Sequence, residues 1–224
     1  MNEKDIKIKV FEYLIKSRKH DVVVPEVSFG HSTKMNMKGS VRADVFAING
    51  DITVYEVKSE LDSLDRLPNQ IKNYLQYANH VNVVVADKFL DKLSFLPDSV
   101  GVFSYTKRGI KCVRESTYSD VATDKYLEYW WGIELKKIFR GTKDSNKLHL
   151  DAGIEKMRDT LNDEQIKNLT LFRLKERYRK ESDNIKNLII AKKYDELFPK
   201  RIYEKNMEVT PLLKIPFGEI NKLS

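Results

Sequence analysis

The stretch Val41-Arg42-Ala43-Asp44-Val45-Phe46-Ala47-Ile48-Asn49-Gly50-Asp51-Ile52-Thr53-Val54-Tyr55-Glu56-Val57-Lys58 decides how this chain is read. Two runs of β-branched and aromatic residues flank Asn49-Gly50-Asp51, and an Asn-Gly pair between such runs is the strongest local signal for a β-hairpin. Three charged side chains interrupt the apolar background: Asp44 in the first strand, Glu56 and Lys58 at the end of the second. Alternate residues of a strand share a face, so Glu56 and Lys58 project together. Two carboxylates and a lysine converging at the end of a hairpin suit a divalent cation and a phosphate.

Outward from the hairpin, periodicity sets the neighbouring elements. Ile6, Val10, Phe11, Leu14 and Ile15 recur at helical spacing and predict an amphipathic helix over residues 3–19. Val22 to Phe29 reads as a strand whose Pro25 fits an edge position or a bulge. Residues 30–40 read as a loop. After the hairpin, Leu64, Leu67, Ile71, Tyr74, Leu75 and Ala78 form the apolar stripe of a helix over 61–79, and Pro68 places its regular part from about Leu67. Val81 to Ala86 is a short buried strand. Val100 to Tyr105 and Ile110 to Val113 are further strands about the turn Lys107-Arg108-Gly109. Beyond Thr123 the pattern turns helical, over 124–140, 150–161, 163–179 and 183–197, and Pro199, Pro211 and Pro216 break the remainder. The chain is therefore expected to be α/β over residues 1–120 and mostly α-helical over 121–224, with the helical part either packed on the core or separate.

Composition narrows the function classes. A single cysteine, Cys112, excludes a disulfide framework and points to a reducing compartment. The polar opening Met1-Asn2-Glu3-Lys4-Asp5 lacks the apolar run of a secretory signal, and no apolar run approaches the roughly 18 residues of a membrane span. A cytoplasmic location is expected. The net charge of +7, most of it contributed beyond residue 121, is compatible with a polyanionic partner but common among proteins without one.

The order helix–strand–strand–strand–helix–strand, with Asp44, eleven intervening residues and then Glu56-Val57-Lys58, resembles the core of the PD-(D/E)XK nuclease superfamily. The strand motifs Arg42-Ala43-Asp44 and Tyr55-Glu56-Val57-Lys58-Ser59-Glu60 are similar to those of uncharacterised bacterial and phage members. Gln70 and Tyr74 match the Q-x-x-x-Y arrangement that many members carry on the following helix. Ala43 stands where the family name places proline. The resemblance covers roughly residues 3–86 and implies a restriction-endonuclease-like αβββαβ core with a mixed sheet. It also implies a nuclease that uses Mg²⁺, for which Mn²⁺ can substitute, and Glu12 resembles the helix-borne glutamate that joins the metal shell in some members.

The chemistry stands beside that resemblance. Phosphodiester hydrolysis requires neutralised phosphate charge and an activated water, and Mg²⁺ supplies both through hard oxygen ligands. Asp44, Glu56 and the backbone carbonyl of Val57 are the candidate ligands, Lys58 the group that holds the water or offsets developing charge, and Gln70 its orienting partner. Asp62 and Arg66 are read either as part of a charged helix start or as residues on the cleft rim, the helix start being favoured for Asp62 and Arg66 staying open. Arg173, Arg177 and Lys180, at i, i+4 and i+7 with Lys175 and Arg179 alongside, make a basic helix face that is either solvated or tracks a nucleic-acid backbone. Trp130, Trp131, Tyr126 and Tyr129 are candidates for base stacking or for the core. His31, with Lys34 and Lys38, is a phosphate contact or a solvated side chain, and the four histidines lack metal-ligand spacing. Cys112 reads as an inert buried thiol. The expected function is metal-dependent cleavage of phosphodiester bonds, in DNA before RNA, with end or internal cutting open. The alternatives are a non-catalytic nucleic-acid-binding or regulatory protein on the same fold, and a protein-interaction module.

Overall fold

The computed structural model describes residues 1–17, 19–30, 41–143, 145–198, 208–215 and 220. His31, Lys34, Lys38, Pro199 and Pro216 lie outside them. Helix α1 (Glu3–Ser17) leads into strand β1 (Val22–Phe29), the hairpin β2 (Val41–Ile48) and β3 (Ile52–Lys58), helix α2 (Leu67–Tyr77) and strand β4 (His80–Ala86). Strands β5 (Gly101–Thr106) and β6 (Gly109–Arg114) complete the sheet. Then come α3 (Thr123–Leu127), α4 (Gly132–Ile138), α5 (Leu150–Thr160) and α6 (Asp163–Ile190).

The six strands lie in sequence order. β1, β2 and β3 pair antiparallel, β3–β4 and β4–β5 parallel, and β5–β6 antiparallel, so the sheet is mixed. The hairpin closes where Ile48 faces Ile52, and Gly50 takes the turn at φ 69°, a conformation open to glycine without steric cost. All of β3 and nearly all of β2 are buried. Their near-continuous apolar character follows from cover on both faces, by α1 on one side and α2 on the other.

Pro25 sits on the edge strand, where its missing N–H leaves no ladder bond unmade. The outer edge of β1 is covered by α6. The Val23 N–H donates to Ser182 Oγ at 2.9 Å, and Arg179 and Lys186 donate to the Asp21 carbonyl at 3.2 and 3.1 Å. Phe29, Phe46, Tyr74, Tyr77 and Tyr129 then join sheet and helices in one aromatic cluster. The described helical part is thus packed on the sheet and shares its core.

Two helical expectations change. Residues 124–140 form two short helices, because Trp131 is extended (φ −97°, ψ 147°) and its N–H donates to Glu134 Oε2 at 3.0 Å, starting α4 afresh. Residues 163–190 form one helix of 28 residues, started by a reciprocal Asn162–Gln165 cap. The polar run Arg179 to Asp183 contains no glycine or proline, and within it Ser182 is buried against β1, so the helix continues where the hydrophobic pattern lapses. Cys112 is half-buried on β6, its thiol pKa pushed up by burial and by Glu115. Among the described residues no helix is long and apolar enough to cross a membrane.

Candidate active site

Asp44 on β2 and Glu56 and Lys58 on β3 meet Gln70 and Tyr74 of α2 at one cavity of about 340 Å³. Gln70 and Tyr74 are one helical turn apart and share the face turned to β3. Lys58 Nζ donates to Glu56 Oε1 at 2.6 Å, and Gln70 Nε2 donates to the same oxygen at 2.5 Å. The Tyr74 hydroxyl lies 2.5 Å from Glu56 Oε2 and 2.7 Å from the Arg42 carbonyl oxygen, with one proton to give. Asp44 Oδ2 accepts the Val57 N–H at 2.8 Å, and its Oδ1 lies 3.0 Å from Lys7 Nζ.

These charges are held out of water. Glu56 is 3% exposed, Lys58 6% and Asp44 9%. Burial raises the Glu56 carboxyl above its usual range and Asp44 adds to the shift, while Lys58 and the Tyr74 hydroxyl oppose it. Tyr74 is raised by burial and then by Glu56. Lys7, also buried, spans Asp44, Glu3 at 2.6 Å and Glu26 at 3.1 Å. Burial alone would lower its pKa, but Asp44, Glu3 and Glu26 outweigh it and raise it. Glu26 stands at φ 49°, a conformation that non-glycine residues seldom hold away from functional or tightly packed positions.

The donor set fits a hard cation. Gln70 Oε1 is buried with no hydrogen-bond partner, beside the Asp44 and Glu56 carboxylates that line the same cavity. Among the described residues no group of three or more His, Cys, Asp or Glu is gathered for a metal. A pair of carboxylates with an amide oxygen matches Mg²⁺, which keeps several waters and takes one or two carboxylates with substrate phosphate, better than Ca²⁺ or Zn²⁺. Val57 reaches the site through its N–H to Asp44 and lines the cavity.

Other expected site residues fall elsewhere. Glu12 is no part of the cavity: the Tyr194 hydroxyl donates to its Oε1 at 2.6 Å. At 3.6 residues per turn, Glu12 lies roughly 140° around α1 from Lys7, so Glu3 and Lys7 are the helix residues that reach the site. Arg173 and Arg177 do not form a solvent face. Arg173 is 1% exposed, with Nε 2.9 Å from Glu134 Oε1. Arg177 grips both Glu134 oxygens and lies 4.1 Å over the Trp131 ring. Glu134 is itself fully buried, so it draws both arginines inward, and of the three basic residues only Lys180 is exposed. Tyr126, Tyr129 and Trp130 are core residues, the last donating to Thr170 Oγ1 at 2.9 Å.

Asp62 precedes α2 rather than starting it, and accepts from the Ser59 N–H at 2.7 Å and hydroxyl at 2.6 Å. Partial burial would raise its pKa, but these bonds with Lys58 and Arg66 lower it. Asp62 and Arg66 both line the cavity. Lys7 is the residue that sequence reasoning missed, though a signal exists: with Val10, Phe11 and Leu14 it occupies positions i, i+3, i+4 and i+7 of the apolar stripe.

Comparison with known proteins adds the lineage. A protein of unknown function from Silicibacter pomeroyi (SPO1766) is 21% identical with a TM-score of 0.40, over 54% of this chain and 75% of that one. Protein cII of Enterobacteria phage P4 is 27% identical over 200 residues, which span 82% of this chain and 70% of that protein. The family described as Bacteriophage P4 protein cII matches residues 1–196, a span that holds Lys7, Asp44, Glu56, Lys58, Gln70 and Tyr74. The chain belongs to the bacteriophage P4 protein cII family.

Proposed function

We propose that the chain is a metal-dependent phosphodiesterase with a restriction-endonuclease-like core, acting on nucleic acid and on DNA before RNA. The observation that carries this reading is the convergence of Asp44, Glu56, Lys58 and Gln70 on one cavity, on an α1-β1-β2-β3-α2-β4 succession of elements. Asp44, Glu56 and the free Gln70 Oε1 would hold a Mg²⁺ or Mn²⁺ ion. When bound, such an ion neutralises phosphate charge and makes its water acidic.

The chain's own residues do the rest. Gln70 Nε2 and the Tyr74 hydroxyl fix the orientation of Glu56. Lys58 beside Glu56 favours the ionised carboxylate that a cation requires, and Lys7 pairs with Asp44. Lys58 presents its ammonium in the same cavity, where a buried cation stabilises charge developing on a phosphate more than it would in water. Arg66 at the rim, with the exposed Arg42, offers contacts to flanking phosphates.

The test is cleavage of plasmid and oligonucleotides with Mg²⁺ or Mn²⁺. Glu56→Gln and Lys58→Ala are each expected to lower the rate by about 100-fold or more. Absence of cleavage on both DNA and RNA, or cleavage that survives both substitutions, would overturn the reading. A second reading, a non-catalytic nucleic-acid-binding protein on this fold, draws on the pairing of both carboxylates with lysines. It requires binding that weakens with salt yet ignores chelator and Asp44→Asn. The inward turn of Arg173 and Arg177 removes most of the basic face that first suggested it.

A further inference from the structure

A second cavity, also of about 340 Å³, lies behind the sheet from Glu56 and Lys58. Side chains alternate across a strand, so Thr53 and Tyr55 face it while Glu56 faces the other way. In the parallel ladder His80 pairs with Thr53 and Asn82 with Tyr55, which puts all four on one face. Tyr13 and Ser17 at the end of α1, with His20 beyond it, close the space. Part of its wall is aromatic. Phe103 stands edge-on to Tyr13 and to Tyr55, both at 5.9 Å between centroids, and His20 stands edge-on to Tyr55 at 6.5 Å.

Two of the residues that line it carry polar atoms without partners. His20 Nδ1 and Asn82 Oδ1 are buried with no hydrogen bond. Asn82 is 2% exposed, and its Nδ2 makes only a long 3.5 Å approach to the Val54 carbonyl. A buried amide left unpaired is destabilising, so such groups in a cavity mark a place for a ligand or water. Gly101, the ladder partner of Asn82, leaves room for that oxygen: a Cβ at position 101 would stand 2.1 Å from it.

The charges at the mouth answer one another. Lys19 faces Glu115 at 3.9 Å and Asp51 faces Lys167 at 3.0 Å. His20 is held neutral, its pKa lowered to about 4 by burial first and then by Lys19 and His80. Among the described residues, phosphate or a metal ion would therefore meet no unanswered counter-charge inside. A flat, uncharged molecule with ring nitrogens and exocyclic groups would meet aromatic edges and an asparagine amide, the side chain that reads adenine edges bidentately in nucleic-acid recognition. The volume is at the low end of the range for small-molecule sites.

We propose that this cavity binds a small uncharged nitrogen heterocycle, a nucleobase or nucleoside, at a site separate from the carboxylate–lysine cavity. The full chain is titrated with adenosine, guanosine, cytidine, uridine and ribose by calorimetry, as wild type, Asn82→Leu, Ser17→Trp and Glu56→Gln. At least one nucleoside should bind with a dissociation constant below about 1 mM. Asn82→Leu and Ser17→Trp should each weaken it by about tenfold or more, the first by removing the polar contact and the second by filling the space from a partly exposed helix end. Glu56→Gln should leave it unchanged. Thermal melting of each variant separates lost binding from lost fold, and Ser17→Trp keeps the test open should Asn82→Leu fail to fold. The proposal is overturned if no nucleoside binds at about 10 mM, if ribose binds equally well, or if Glu56→Gln abolishes binding that Ser17→Trp spares.

Discussion

Lys7 ties α1, β1 and β2 together through three carboxylates while its own side chain is almost wholly buried. Lys7→Met would strip Asp44 of its counter-charge and leave Glu26 at its strained backbone position with less to hold it. We expect a loss of about 2–4 kcal/mol in urea unfolding, since breaking a buried ion pair from one side leaves the other charge uncompensated. His20 gives a pH signature. Its folded pKa of about 4 lies below the ordinary value of 6.5, so the unfolded chain takes up the proton first as pH falls. Stability should drop from near pH 6.5 toward pH 4, and His20→Gln should flatten that slope in melting curves taken across the window. Asp44, Glu56, Lys58 and Gln70 were legible in the sequence because strand alternation and one helical turn are short-range rules. For Lys7 only its place in the apolar stripe was legible; its role was not, because its partners at positions 26 and 44 come to it only through the sheet.

Among the elements, the helices record where sequence periodicity stops being informative. The i, i+4, i+7 spacing of Arg173, Arg177 and Lys180 says that they share a face, but not which way the face points. Glu134, fully buried one helix away, decides it. Arg173→Met should therefore lower stability by about 3 kcal/mol in chemical denaturation, with little effect on any nucleic-acid affinity. Ser182→Ala should cost about 1–2 kcal/mol by leaving the Val23 N–H without its acceptor. The strands were easier to read. Each of β1 to β6 is a short β-branched or aromatic run between clear turn signals, whereas the break at Trp131-Gly132 and the continuity of α6 through Arg179 to Asp183 depend on tertiary contacts.

At the scale of the whole molecule, the sheet separates two cavities of different character. One is lined by paired charges beside α2, the other by aromatic, hydroxyl and amide groups beside α1 with its paired charges at the mouth. The single shared core shows why the change from strands to helices near residue 120 marks a change of element type rather than a break in packing. The two borders of the sheet are treated differently. On β6, the exposed Lys111 places a charge that discourages another chain from pairing there. On β1 the protection is a covering helix, joined to the strand by the Ser182 hydroxyl. A proline at 182 would break α6 and uncover a row of unpaired backbone groups. Ser182→Pro should thus promote self-association through strand addition, seen as a rise in light scattering over the wild type well below the melting temperature.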